Sequence, residues 1–99
     1  MKVFISLPMN GYTDEEILDR MEAIAAKFCK KYENAEFITS FIVNAKSHSP
    51  LYYLGKSLSK MASADICVFS EGWGRARGCR IEHECALLYG YRIIYEEEL

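Results

Sequence analysis

The residues with the clearest chemical potential lie in "GCRIEHECALLYG", residues 78–90, where Glu82 and Glu84 flank His83 at the head of an apolar run that closes on Gly90. A carboxylate in this place has two possible roles. It can complement the positive end of a helix, which needs only a position near the first turn. Alternatively it can face a substrate as an ionised nucleophile or base. Helix geometry separates the two acids: at 3.6 residues per turn Glu84 points about 200° away from Glu82, so they cannot share one site. Glu82 shares a face with Ala86 and Gly90, small residues that permit close packing on a sheet, and Ile81, Cys85 and Leu88 surround that face. Glu82 is therefore the better candidate for an inward carboxylate. His83 is expected to face solvent or a partner chain.

Two glycine-containing segments add polar groups. The glycine-rich "PMNG" (8–11) and "EGWGRARG" (71–78) suit an anion, which backbone amides of "PMNG" and "RGCR" (77–80) would hold where the last helix begins, with Arg75, Arg77 or Arg80 nearby. The second segment matches neither a Walker motif nor the strict dinucleotide spacing. Each arginine is equally readable as a solvated loop charge. Ser6, Pro8, Met9, Asn10, Gly11, Arg77 and Gly78 are candidate substrate contacts through hydroxyl, amide and backbone groups, with plain turn chemistry as the alternative. Trp73, flanked by glycines, is expected outside the core, either stacking on a base or contacting another subunit. The four cysteines form no CxxC pair, and His48 and His83 are the only histidines, so neither a metal nor a cofactor is expected. Cys29, Cys67 and Cys85 read as buried, reduced thiols, and Cys79 as the one open to a site.

These residues need a scaffold to bring them together. "KVFISL" (2–7) reads as a strand running into the loop Pro8, Asn10, Gly11. Residues 13–32 read as a helix: Thr13 is the N-cap, Glu16 completes a capping box, and Ile17, Met21, Ile24, Ala25 and Phe28 recur at helical spacing. A second strand is expected over 35–42 and a polar loop over 43–50. A helix over 50–62 should present Leu51, Leu54, Leu58 and Met61 on one face. A strand over 65–70 follows, begun by an Asp65 that binds nearby backbone amides. The glycine-rich loop 71–78 leads into a helix over 79–90 with Gly90 as its C-cap. The last strand covers 91–96, and the acidic tail "EEEL" reads as a solvated end.

Strands and helices alternate, and the strands are continuously apolar, which predicts an α/β three-layer sandwich. Its four- to five-stranded parallel sheet, of flavodoxin- or Rossmann-like type, should have right-handed crossovers. Ligands in such a sheet bind at the carboxyl ends of the strands, near the switch in strand order. The loops at 8–11, 40–50 and 71–78 and the start of the last helix all belong to that edge, with Glu82 in the first turn or so of the helix.

Composition narrows the function class. The chain has 99 residues, 51% hydrophobic and 26% charged, which fits one domain over 1–99. A net charge of −2 and a pI near 5.7 argue against binding a nucleic-acid polymer. No apolar run is long enough to span a membrane. "MKVFISL" is too short for a secretion signal, so the cytoplasm is the expected location.

"ISLPMNGY" and "SADICVFSEGWGRARGCRIEHECALLYGYRI", with the alternating element pattern, resemble the nucleoside 2-deoxyribosyltransferase superfamily, within it a small, often phage-associated branch. The resemblance covers most of the chain. In that superfamily a strand beginning "AD" is followed by a glycine-containing loop, and a glutamate then opens the last helix in the pattern E-x-x-x-A-x-x-x-G. Glu82, Ala86 and Gly90 fit it. The resemblance implies a nucleoside 2-deoxyribosyltransferase-like fold, a nucleoside or nucleotide substrate, no cofactor and a homodimer or higher homo-oligomer. It also implies that Glu82 attacks the anomeric carbon of a 2-deoxyribose, releasing the base and forming a covalent intermediate that passes to another base or to water. Active relatives carry an aspartate about two turns ahead of the "AD" to assist the leaving base; here Ser57 stands there, and serine is no comparable acid. Three readings are thus open: N-glycosidic bond cleavage or deoxyribosyl transfer, a non-catalytic nucleotide-binding module that keeps the pocket without the acid, and a structural oligomer.

Overall fold

Hydrophobic alternation along the first strand sets the layers. In the computed structural model, which describes residues 1–38 and 47–99, β1 (Lys2–Ser6) sends Val3 and Ile5 to one face of the sheet and Phe4 to the other. The first face is covered by α1 (Asp14–Lys31), whose Ile17, Ile24 and Phe28 pack with Val3, Ile5 and Leu7. The opposite face is covered by α2 (Pro50–Met61) and α3 (Arg77–Leu88), whose Met61 and Ala86 pack with Phe4. Between them run β2 (Glu36–Ile38), β3 (Ile66–Phe69) and β4 (Arg92–Tyr95). β3 repeats the division, with Ile66 and Val68 toward α1 and Cys67 and Phe69 toward α2 and α3. Burying one such large side chain contributes ~1.5–3 kcal/mol.

The described strands form one parallel sheet in the order β2-β1-β3-β4. This is an α/β, Rossmann-like three-layer sandwich, and its strand order reverses between β1 and β3. Among the described residues no helix is long and apolar enough to cross a membrane.

Local chemistry fixes the element ends. Thr13 accepts from the Glu16 amide and Glu16 returns a carboxylate to the Thr13 amide at 2.9 Å, completing the expected capping box. Ser49 caps α2, with Pro50 in its first turn, where a missing N–H costs nothing. α3 ends in a Schellman arrangement: Tyr91 N–H donates to Ala86 and Gly90 N–H to Leu87, with Gly90 at φ +75°, the left-handed position that favours glycine. Asp65 accepts the Lys2 amide at 2.7 Å, the backbone-binding role expected of it.

Several expectations need correction. α3 begins at Arg77 rather than Cys79, because a single glycine in a first turn costs only ~1 kcal/mol and Gly78 is absorbed into the helix. The buried face of α2 centres on Ser57 and Met61, while Leu51 is 74% exposed. Cys29 is exposed, since it follows Phe28 on α1 and is turned off the sheet-facing stripe. The acidic tail is not solvated throughout: Glu96 is only 6% exposed and opens a 3₁₀ turn, Glu96–Glu98. It accepts hydrogen bonds from Lys27 and Arg20 of α1 and from the Glu71 amide. The strand expected over 35–42 is described only to Ile38, and residues 39–46, including the first half of the expected polar loop, lie outside the described residues.

Candidate functional site

The carboxyl edge of the sheet is built by chain-end geometry. Ser6 is the last residue of β1 and lies on the same face as Phe4, so its hydroxyl emerges beneath α2 and α3. On α2, Ser57 lies one turn before Met61 and shares its inward side. On α3, Glu82 lies one turn before the fully buried Ala86. Three elements thus converge on one carboxylate. Ser6 Oγ donates to Glu82 Oε1 at 2.6 Å, and Ser57 Oγ donates to Glu82 Oε2. Glu82 is 7% exposed and Ser6 1%, while Glu84 is exposed on the other side of the helix, as the helical wheel requires. Every buried side-chain nitrogen or oxygen among the described residues has a hydrogen-bond partner.

The physical basis of Glu82's charge differs from the expectation. Because α3 starts at Arg77, Glu82 is its sixth residue, past the first turn where the helix dipole acts strongly. Burial pushes its carboxyl above the usual range, and the Ser57 and Ser6 hydroxyls, both donating to the charged form, oppose that rise. The two serines thus favour the charged form in place of the helix terminus, opposing without cancelling the effect of burial.

Glu82 opens on a cleft of about 1960 Å³ at the switch between β1 and β3. This exceeds the ~300–1,000 Å³ of a typical enclosed ligand pocket, so the cleft is a broad trough. Pro8, Met9, Asn10, Arg77, Gly78 and Glu82 all line it, so six of the nine residues singled out from the sequence come together. Ser6 lies just below the surface and reaches the site through Glu82. Gly11 sits exposed in the turn closed by Tyr12 N–H to the Met9 carbonyl and does not line the trough. The remaining walls carry His48 from just before α2, Tyr53 from the start of α2, Tyr12, and Arg20 of α1. At the rim Gly72 takes φ +83°, and a Cβ there would lie 2.8 Å from the Arg75 guanidinium folded over it.

Trp73 is placed elsewhere. It belongs to a 3₁₀ turn (Trp73–Arg75) and stacks on His83 with ring centroids 3.9 Å apart. It packs against the α2/α3 side of the core, outside the lining of the trough. His83, expected at the solvent or a partner, is half-buried in this cluster: its Nε2 pairs with the Tyr95 hydroxyl at 2.7 Å, and Phe69 meets its ring edge-on. Burial lowers the His83 imidazole below its ordinary value against the opposing charge of Glu84. No local pattern signals this stacking, since its members come from β3, the 3₁₀ turn, α3 and β4.

Cys79 lines the trough but is only 4% exposed, so the thiol expected to be open is covered. Burial first, then the charge of Glu82, push it up to about 11, against an opposing Ser6 hydrogen bond. Cys67 is raised to about 11 by burial and by Glu82. Among the described residues no three histidine, cysteine, aspartate or glutamate side chains are grouped to hold a metal ion. Sequence reasoning also missed the direct Ser57–Glu82 bond: it counted Ser57 as a lost acid, without placing its hydroxyl on the carboxylate.

With this geometry in hand, residues 1–95 match the family described as domain of unknown function DUF4406, and the chain belongs to that family. No curated protein and no solved structure matched the chain.

Proposed function

We propose that this DUF4406 member cleaves or transfers the N-glycosidic bond of a 2-deoxynucleoside or its 5′-monophosphate, with Glu82 as the nucleophile. One observation carries the reading: a buried carboxylate at the strand-order switch, with both oxygens fixed by hydroxyl donors, on a trough wide enough for a sugar and base. A nucleophilic carboxylate must be ionised and held in one orientation. Ser6 and Ser57 hold both oxygens in place, and each donates to the charged form against the burial that raises the carboxyl. In the proposed step a Glu82 oxygen bonds to the anomeric carbon, and the C–N bond breaks with its electron pair leaving on the base, as in retaining glycoside hydrolysis. Water or a second base then displaces Glu82. The likeness of residues 5–12 and 63–93 to the nucleoside 2-deoxyribosyltransferase superfamily supports the substrate class. A trough this open is poorly closed by one small chain, so the reading includes self-association.

Ser57 favours a second reading. Its hydroxyl is committed to Glu82 where active relatives carry an acid for the leaving base. The alternative is a module that binds a nucleotide without cleaving it. Incubation with a panel of 2-deoxynucleosides and their 5′-monophosphates, read by chromatography, separates the two. The enzyme reading expects free base that Glu82→Gln abolishes. Saturable calorimetric heat without base release leaves the binding module, and a flat response to the whole panel rejects both.

A further inference from the structure

The outward side of α3 carries a pattern that folding of one chain does not use. Arg77 and Glu84 lie seven residues apart, and so do Ile81 and Leu88, which places all four along one stripe about three turns long. Ile81 is 37% exposed and Leu88 73%, with Leu87 and Tyr89 also open beside them. Among the described residues neither Arg77, Arg80 nor Glu84 makes an ion pair. A groove of about 580 Å³ runs along this face, floored in part by Trp73, Ile81 and Cys85. A stripe with opposite charges, Arg77 and Glu84, on either side of apolar Ile81, and with Leu88 one turn beyond, is complementary to itself when a second stripe runs antiparallel. That is the isologous geometry of a two-fold dimer.

We infer that this face docks a second copy of the chain, α3 against α3 in antiparallel orientation. The two-fold axis passes between positions 80 and 81. Arg77 of each copy then meets Glu84 of the other, the two Ile81 side chains meet at the axis, and Leu88 reaches toward the Trp73 end of the facing groove. Each pair is made twice, which sets the register, and the apolar stripe between them supplies area. Arg77 and Ile81 also line the trough, so the interface runs along one wall of the site. The inference deepens the self-association part of the proposal above and is independent of what Glu82 does.

Sedimentation velocity over a concentration series tests it. The wild-type chain should be a dimer. Arg77→Glu and Glu84→Arg, at exposed positions where folding is little affected, should each raise the dissociation constant by at least ~tenfold through like-charge contacts. Circular dichroism checks that both variants are folded. The decisive arm mixes the two weakened variants in equal amounts. In a mixed dimer both contacts regain opposite charges, so dimers should reappear. A wild-type chain that is monomeric throughout overturns both this inference and the self-association reading. A dimer indifferent to both substitutions, or one not restored on mixing, overturns this surface while leaving self-association and the Glu82 chemistry standing.

Discussion

Replacing Ser57 by alanine tests how the buried carboxylate is held. The substitution removes one hydroxyl from an 8% exposed position and leaves no sizeable cavity, so its effect reports the hydrogen bond to Glu82. A hydrogen bond to a charged acceptor contributes ~1.5–3 kcal/mol, and a neutral one ~0.5–1.5 kcal/mol. The cost should therefore depend on the protonation of Glu82. Its carboxyl is raised in the folded chain above the ordinary 4.5, mainly by burial. Between those values the folded state holds more protons than the unfolded state, so stability falls as pH rises through that window. Ser57 limits the rise. Without it the window widens and the loss deepens on its alkaline side. We expect Ser57→Ala to destabilise by ~1.5–3 kcal/mol near pH 8 and by only ~1 kcal/mol near pH 4.5. Urea unfolding followed by Trp73 fluorescence measures both, and comparing variant with wild type at each pH cancels the other titrating groups. A cost under ~0.5 kcal/mol, or one identical at the two pH values, refutes the reasoning.

Glu96 should show the opposite pH sign. Burial alone would raise its carboxyl, but Lys27, the Glu71 amide and Arg20 together hold it below the ordinary range. Its contribution is thus present above about pH 4.5 and lost as pH falls through the lowered value. With Arg20 and Lys27 each half-exposed, Glu96→Gln should cost ~1 kcal/mol at neutral pH and less in acid, measured by the same unfolding assay. Thiol alkylation offers a third check. Near neutral pH iodoacetamide should modify exposed Cys29 in the folded chain, while Cys67 and Cys79, buried and raised to about 11, react only after unfolding. Peptide mass mapping of the labelled sites decides it; early labelling of Cys79 contradicts the covered site.

Local signals carried much of the architecture. The capping box at Thr13 and Glu16, the heptad-like stripe of α1 and the closing Gly90 were legible because their partners lie within one or two helical turns. The inward turn of Glu82 was legible for the same reason: Ala86, one turn on, marks its face. Long-range partners were not. Glu96 and Lys27 are 69 residues apart, and Ser6 and Glu82 are 76 apart, so no periodicity links them. The acidic run 96–98 reads as solvent-exposed on composition, yet its first member closes the sheet edge against α1. Trp73 illustrates the same limit: its flanking glycines indicate exposure, but they cannot reveal that His83 and Tyr95 stand ready beside its ring.

The central claim is chemical, and a trapped intermediate tests it most directly. The chain is mixed with a 2-deoxynucleoside or its 5′-monophosphate, quenched in acid, digested and mass-mapped. A deoxyribosyl or deoxyribosyl-phosphate adduct is expected on the peptide containing Glu82, with free base released by the wild-type chain and neither adduct nor base release in Glu82→Gln. Base release that persists in Glu82→Gln, or an adduct on any other residue, would contradict it.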